Sequence, residues 1–112
     1  MDDIKPEWVI EPGDPKGEKF GFTQEDFLGY ISEIENTIWI SAIISKKPGR
    51  GNLSKLIKSA LDQGYIVKIP APFPHMQLIA KHLKFRKTIE EFPEVGESIE
   101  VWVKEPSTRT AR

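Results

Sequence analysis

Residues 37–69 constrain the fold more than any other stretch of the chain. Thr37 to Ser45 reads TIWISAIIS, a run of β-branched, aromatic and apolar residues without a polar face. That composition predicts a central strand covered on both sides. A loop, KKPGRGN, follows. Leu53, Leu56, Ile57, Ala60 and Leu61 then recur at i, i+3, i+4, i+7 and i+8, the stripe of an amphipathic helix. Asn52 suits its N-cap and Gly64 its C′ position. Tyr65–Ile69 reads as a second buried strand. A strand, helix, strand unit of this length requires parallel strands joined by a right-handed crossover.

The flanking segments add weaker signals. Trp8-Val9-Ile10 lies between Pro6 and Pro12 and predicts a short or edge strand. Residues 11–19, EPGDPKGEK, read as an exposed loop. Thr23 with Asp26 resembles a capping box, and Phe27, Ile31 and Ile34 follow at helical spacing. A helix is therefore expected there, ending at Glu35-Asn36. Pro74 suits the start of another helix, whose apolar face would be Met76, Ile79, Ala80 and Leu83. Strands around Arg86–Glu91 and Ser98–Lys104 predict a closing hairpin, with the turn near Pro93 and Gly96. The expected fold is α+β, a mixed and mainly antiparallel sheet flanked by helices. Residues 1–106 form one domain and 107–112 a flexible tail.

Composition excludes several functions. The chain has 112 residues, no cysteine, two histidines and a formal net charge of −1. Disulfides, thiolate catalysis and cysteine-ligated zinc are ruled out, and no metal site is expected. A nucleic-acid partner is disfavoured, because phosphate neutralisation needs clustered positive charge over a wide surface. No apolar run approaches the ~18 residues of a membrane span. The opening MDDIKPEW is acidic and interrupted by Pro6, so a signal peptide is not expected. A cytoplasmic location follows as the expectation.

The chemistry concentrates in Lys46-Lys47-Pro48-Gly49-Arg50-Gly51-Asn52. Glycines let backbone N–H groups approach an anion, and a helix N-terminus adds unpaired donors and partial positive charge. Lys46, Lys47 and Arg50 add full charges. A P-loop needs four residues between its glycines followed by Gly-Lys-Ser/Thr, and the dinucleotide fingerprint needs a third glycine; neither is present. Two readings stand open at this point: an anion cradle, or a strand-to-helix turn with solvated charges.

The stretch from about Ile38 to Lys104 resembles the GNAT superfamily of acetyl-CoA-dependent N-acyltransferases. The family signature, Arg/Gln-x-x-Gly-x-Gly/Ala between a strand and a helix, is matched by Lys46, Gly49 and Gly51, with Lys in the first position. The following strand, the helix at about His75–Lys84, Phe85 and a terminal strand pair come in family order. The resemblance implies acetyl-CoA as cofactor, held where the strands Thr37–Ser45 and Tyr65–Ile69 splay apart. Backbone amides around Lys47, Gly49, Arg50, Gly51 and Asn52 would take the pyrophosphate. The strand backbone near Ile43 and Ile44 would hold the pantetheine arm. The partner would be an amine acceptor that attacks the thioester.

The sequence departs from the family pattern at definite positions. Ala80 stands where a general-acid tyrosine is common, Lys84 replaces a glycine, and an early helical asparagine would fall near Phe73. The segment before Thr37, where the acceptor pocket is usually built, is short. Such reduced forms are similar to relatives encoded by tailed bacteriophages, which would place the chain in the host cytoplasm. Catalytic candidates are His75, His82 and Tyr30, each with a plain structural alternative as a solvated or packing residue. Tyr65 is a core or rim aromatic, and Glu33 and Glu35 belong to a solvated helix face as readily as to a water-mediated base. Trp8, Trp39 and Trp102 are expected to be buried, the last two on one side of the sheet. A second expected class is a degenerate family member kept as a binding or interaction module, and a third is a phosphate-ligand or nucleic-acid accessory protein. Exposed sheet edges make a homodimer a further expectation, without selecting an interface.

Overall fold

The computed structural model describes residues 6–92 and 96–106. The expected tail at 107–112, the first five residues and turn positions 93–95, Pro93 included, lie outside them. Six strands form one sheet: β1 (Val9–Ile10), β2 (Phe27–Ile34), β3 (Thr37–Ser45), β4 (Ile66–Pro70), β5 (Arg86–Phe92) and β6 (Glu97–Lys104). The helices are α1 (Pro15–Glu18), α2 (Asn52–Asp62) and α3 (Pro74–His82). The strand order is β1-β2-β3-β4-β6-β5. β3 and β4 pair parallel, and the other neighbouring pairs run antiparallel. The fold is thus α+β with a mixed, mainly antiparallel sheet and three helices.

The expected helix over residues 23–35 is a strand instead. Thr23 and Asp26 do form their local turn: the Asp26 N–H donates to the Thr23 carbonyl at 3.2 Å, and the Thr23 hydroxyl to the Asp26 carboxylate at 3.2 Å. The turn is not propagated. Gly29 sits in the middle of the segment at φ 97°, outside helical geometry. Glu35 and Asn36, expected as a helix end, both take positive φ, 51° and 64°. They form the two-residue connection between β2 and β3, with the signs of a type I′ hairpin turn. Phe27 and Ile31 satisfy helical spacing, but an interval of four also keeps one strand face. Both enter the larger core cluster, whereas Ile34 packs on the other side.

Two further expectations change. The 11–19 loop contains the single helical turn α1, opened by Pro15. Trp8 is 40% exposed, not buried. Trp39 and Trp102 lie on opposite faces: Trp102 joins the larger cluster, and Trp39 packs with Val101 and Val103 in the smaller one. The alternation of Val101, Trp102 and Val103 on β6 forces that division.

The larger cluster unites the sheet with Leu53, Leu56, Ile57 and Ala60 of α2 and Ala80 of α3, with Phe20 and Phe22 alongside. Both longer helices therefore cover the same sheet face. The buried members of the smaller cluster all come from strands. β3 is covered on both faces only from Thr37 to Ile40; from Ser41 onward it is exposed or half-buried. A bulge accompanies the change. Tyr30 pairs with Ala42 and Ser32 with Trp39, so Ile40 and Ser41 together oppose Ile31. The extra residue shifts the alternation, and Ile43 packs against the same cluster as Ile38 and Ile40.

Candidate functional site

The parallel ladder is short. It pairs Thr37 with Ile66, Ile38 with Val67 and Trp39 with Lys68, then stops. Beyond Trp39, β3 runs on beside β2, while β4 continues beside β6. The bulge in β3 lies at this parting point. Between the end of β3, the glycine loop and the starts of α2 and α3 is a cleft of about 540 Å³. Its walls come from Ile43, Ile44 and Ser45 of β3, from the glycine loop, from Asn52, Leu53 and Ser54, and from Phe73, His75, Met76 and Ile79. An adjoining space of about 380 Å³ lies between the strands, from Ile40–Ile44 to Ile69–Phe73. The two share Ile43, Ile44, Phe73 and Met76.

The glycine loop forms the polar end of the cleft. Gly49 and Gly51 have φ of 85° and 75°, and at neither position would a Cβ meet another group within 4 Å. Backbone conformation, not crowding, requires glycine here. Gly51 is the N-cap of α2, and Asn52, expected in that role, is the first helical residue. The Lys55 N–H donates to the Gly51 carbonyl at 3.0 Å and closes the first helical turn. Gly51 offers no side-chain acceptor, so the first-turn N–H groups have no side-chain cap. The end of the helix carries partial positive charge toward the loop.

The cations are arranged unequally. Lys46 turns away: its ammonium donates to the Gln24 carbonyl at 2.7 Å and its N–H to the Asp26 carbonyl at 2.7 Å. Lys47 lines the cleft, yet its ammonium lies 3.4 Å from both Glu25 and Asp26. Hydrogen bonds to Glu25 and Asp26, with their charge, raise the Lys47 pKa above its ordinary value. The Lys47 N–H is held by the Ser45 hydroxyl at 3.2 Å. Arg50 is exposed and is not among the cleft walls.

Of the catalytic candidates, the structure brings His75 to the cleft. It is exposed at the start of α3, beside Phe73 and Met76. His82 is exposed at the other end of that helix. Tyr30 lies on β2 opposite Ala42, a wall residue of the adjoining space, and does not itself line either space. Tyr65 stacks edge-on against Phe20 and accepts a hydrogen bond from Lys19 at 3.2 Å. Glu35 belongs to the hairpin turn and Glu33 pairs with Ile38, both remote from the cleft. His75 and Lys47 are the ionisable side chains on the described walls of the two spaces.

Phe73 is the residue the sequence did not mark as functional. It is 82% exposed where the two spaces meet. Its signal was the PFP triplet, a bulky aromatic held extended ahead of a proline-started helix. No helix among the described residues is long and apolar enough to cross a membrane. No family model, curated protein or solved structure matches the chain.

Proposed function

We propose that the chain binds an acyl-CoA in this cleft and acts as an N-acyltransferase of GNAT type. The observation that carries the reading is the parting of β3 and β4 after Trp39 and Lys68, which leaves one side of β3 unpaired up to the glycine loop and the uncapped start of α2. A diphosphate needs N–H donors and positive potential, which the Gly49–Asn52 backbone and the helix end supply. The pantetheine arm needs an extended backbone and an apolar wall. The unpaired side of β3 at Ile43 and Ile44 offers both. An acceptor amine reaching the adjoining space would attack the thioester carbonyl. The C–N bond forms as the C–S bond breaks, the amine proton passes to His75 directly or through water, and the thiolate leaves.

A second reading is favoured by one observation. Ala80 is fully buried in the core, and the described cleft walls carry no tyrosine or carboxylate. A protein that keeps CoA without transferring the acyl group fits that poverty of acids and bases. Titration calorimetry with CoA and acetyl-CoA tests the shared claim, with binding in the micromolar range expected. Absence of binding at millimolar ligand in a folded sample overturns both readings. Thiol release from acetyl-CoA across a panel of amines selects the first reading, and binding without release selects the second.

A further inference from the structure

The outer strand β5 has a self-complementary pattern. It reads Arg-Lys-Thr-Ile-Glu-Glu-Phe over residues 86–92 and ends the sheet, with no strand beyond it among the described residues. Lys87, Ile89 and Glu91 share one face by strand alternation. Ile89 is the central residue of the strand and is 70% exposed. The charges on the other face are already engaged within the chain: Glu90 with Lys68 at 2.7 Å and Arg86 with Glu105 at 3.1 Å. Lys87 is exposed, with its ammonium over the Trp102 ring of β6 at 5.1 Å and in no ion pair among those of the described residues, and Glu91 is exposed.

We infer that β5 pairs antiparallel with β5 of a second copy of this chain, about a two-fold axis through Ile89. This register overlaps both strands over their full length. The same register sets Lys87 opposite Glu91 of the second copy, twice by symmetry, and Ile89 opposite its own equivalent. Sliding the pair by two residues shortens the overlap: centred on Glu90 it sets two Glu90 carboxylates together, and centred on Thr88 it sets Arg86 opposite Glu90, charges already engaged by Glu105 and Lys68. Edge strands commonly carry like charges that repel a neighbour. Here the signs are opposite and symmetric about the strand centre, which attracts an identical strand and disfavours a shifted one. The pairing joins two sheets into one of twelve strands and leaves both clefts free, since β5 is separated from β3 by β4 and β6.

Sedimentation velocity over a concentration series tests the inference on the full chain. The wild type is expected to pass from monomer to dimer in the micromolar range, because a single strand ladder is a small interface. Lys87→Glu alone, or Glu91→Lys alone, places like charges opposite each other at two positions and should weaken the dimer about 10-fold. The double variant restores opposite signs in reversed order and should regain dimerisation, which separates a broken interface from a damaged fold. A wild type that stays monomeric to about 1 mM, far beyond the range of such interfaces, overturns the inference. Single variants that dimerise like the wild type, or a double variant that does not recover, do the same.

Discussion

Trp39 and Lys68 are the last partners of the parallel ladder, and the Lys68 ammonium lies 5.2 Å from the centre of the Trp39 ring. Lys68 also binds Glu90 across the sheet at 2.7 Å. One cation thus ties β3, β4 and β5 together at the point where the first two separate. The pair is about a quarter exposed, so it is worth more than a surface ion pair but remains screened by solvent. Lys68→Ala is expected to cost about 1–3 kcal/mol, because it strips the Trp39 ring of its cation and leaves Glu90 without its partner. Glu90→Ala in the Lys68→Ala background should cost little more. Urea unfolding of the single and double variants measures this coupling.

Gly29 marks the other side of β3. It stands opposite Ile43 at φ 97°, and a Cβ there would run into the Ala42 carbonyl oxygen. Gly29→Ala meets a backbone obstacle and a left-handed conformation together, so about 2–4 kcal/mol of stability should be lost. Gly49→Ala has open space and only the conformational cost, about 1 kcal/mol. Chemical denaturation of the two variants checks the order.

Gly51 allows a test of the loop that spares the fold. Asn tolerates positive φ, so Gly51→Asn keeps the helix start while filling the space before the amides. CoA affinity should fall about 10-fold or more with a melting temperature within a few degrees of wild type. Gly51→Val is a poorer probe, because a β-branched residue at φ 75° strains the chain as well. Unchanged affinity in Gly51→Asn would remove the loop from the binding site.

Glu25 and Asp26 both engage the ammonium of Lys47 at the cleft wall. Glu25→Gln removes one negative charge beside the loop and leaves Lys47 with Asp26 alone, so its charge is less offset toward an anionic ligand. CoA should bind about 2- to 5-fold more tightly at low salt, with the gain shrinking as ionic strength rises. Calorimetry at two salt concentrations reads both effects. The raised Lys47 pKa belongs to this contact, so its small contribution to the folded state holds below the ordinary lysine pKa and fades as pH rises through the elevated value.

Ala80→Tyr tests whether the tyrosine can be restored by sequence position alone. Ala80 is fully buried against the larger cluster. The ring has no space, so the variant should lose about 1–3 kcal/mol or more and gain no transferase activity. Thermal melting and a thiol-release assay report the two outcomes.

The readable parts of the chain were those with one periodic interpretation. The stripe of α2 and the alternation of β6 each matched one element type, and both are present. The segment 23–35 had two interpretations, since Phe27 and Ile31 share a face in a helix or in a strand. Gly29 and the Glu35-Asn36 turn were the deciding signals, and they act through backbone dihedrals that a hydrophobic count does not see. The positions of Lys46 and Lys47 were equally hidden. Their charges are local in sequence, but their partners at Gln24, Glu25 and Asp26 are more than twenty residues away.

By itself the sequence determined the parallel strand pair, the helix between them and the glycine loop at its start. Local spacing, turn chemistry and helix-end polarity suffice for those. Only the tertiary structure decided that the two strands part after Trp39, that the helices leave one sheet face to strand residues, and that two of the three loop cations turn away or are neutralised. Those outcomes depend on a bulge, on strand order and on long-range ion pairs, none of which has a local pattern along the chain.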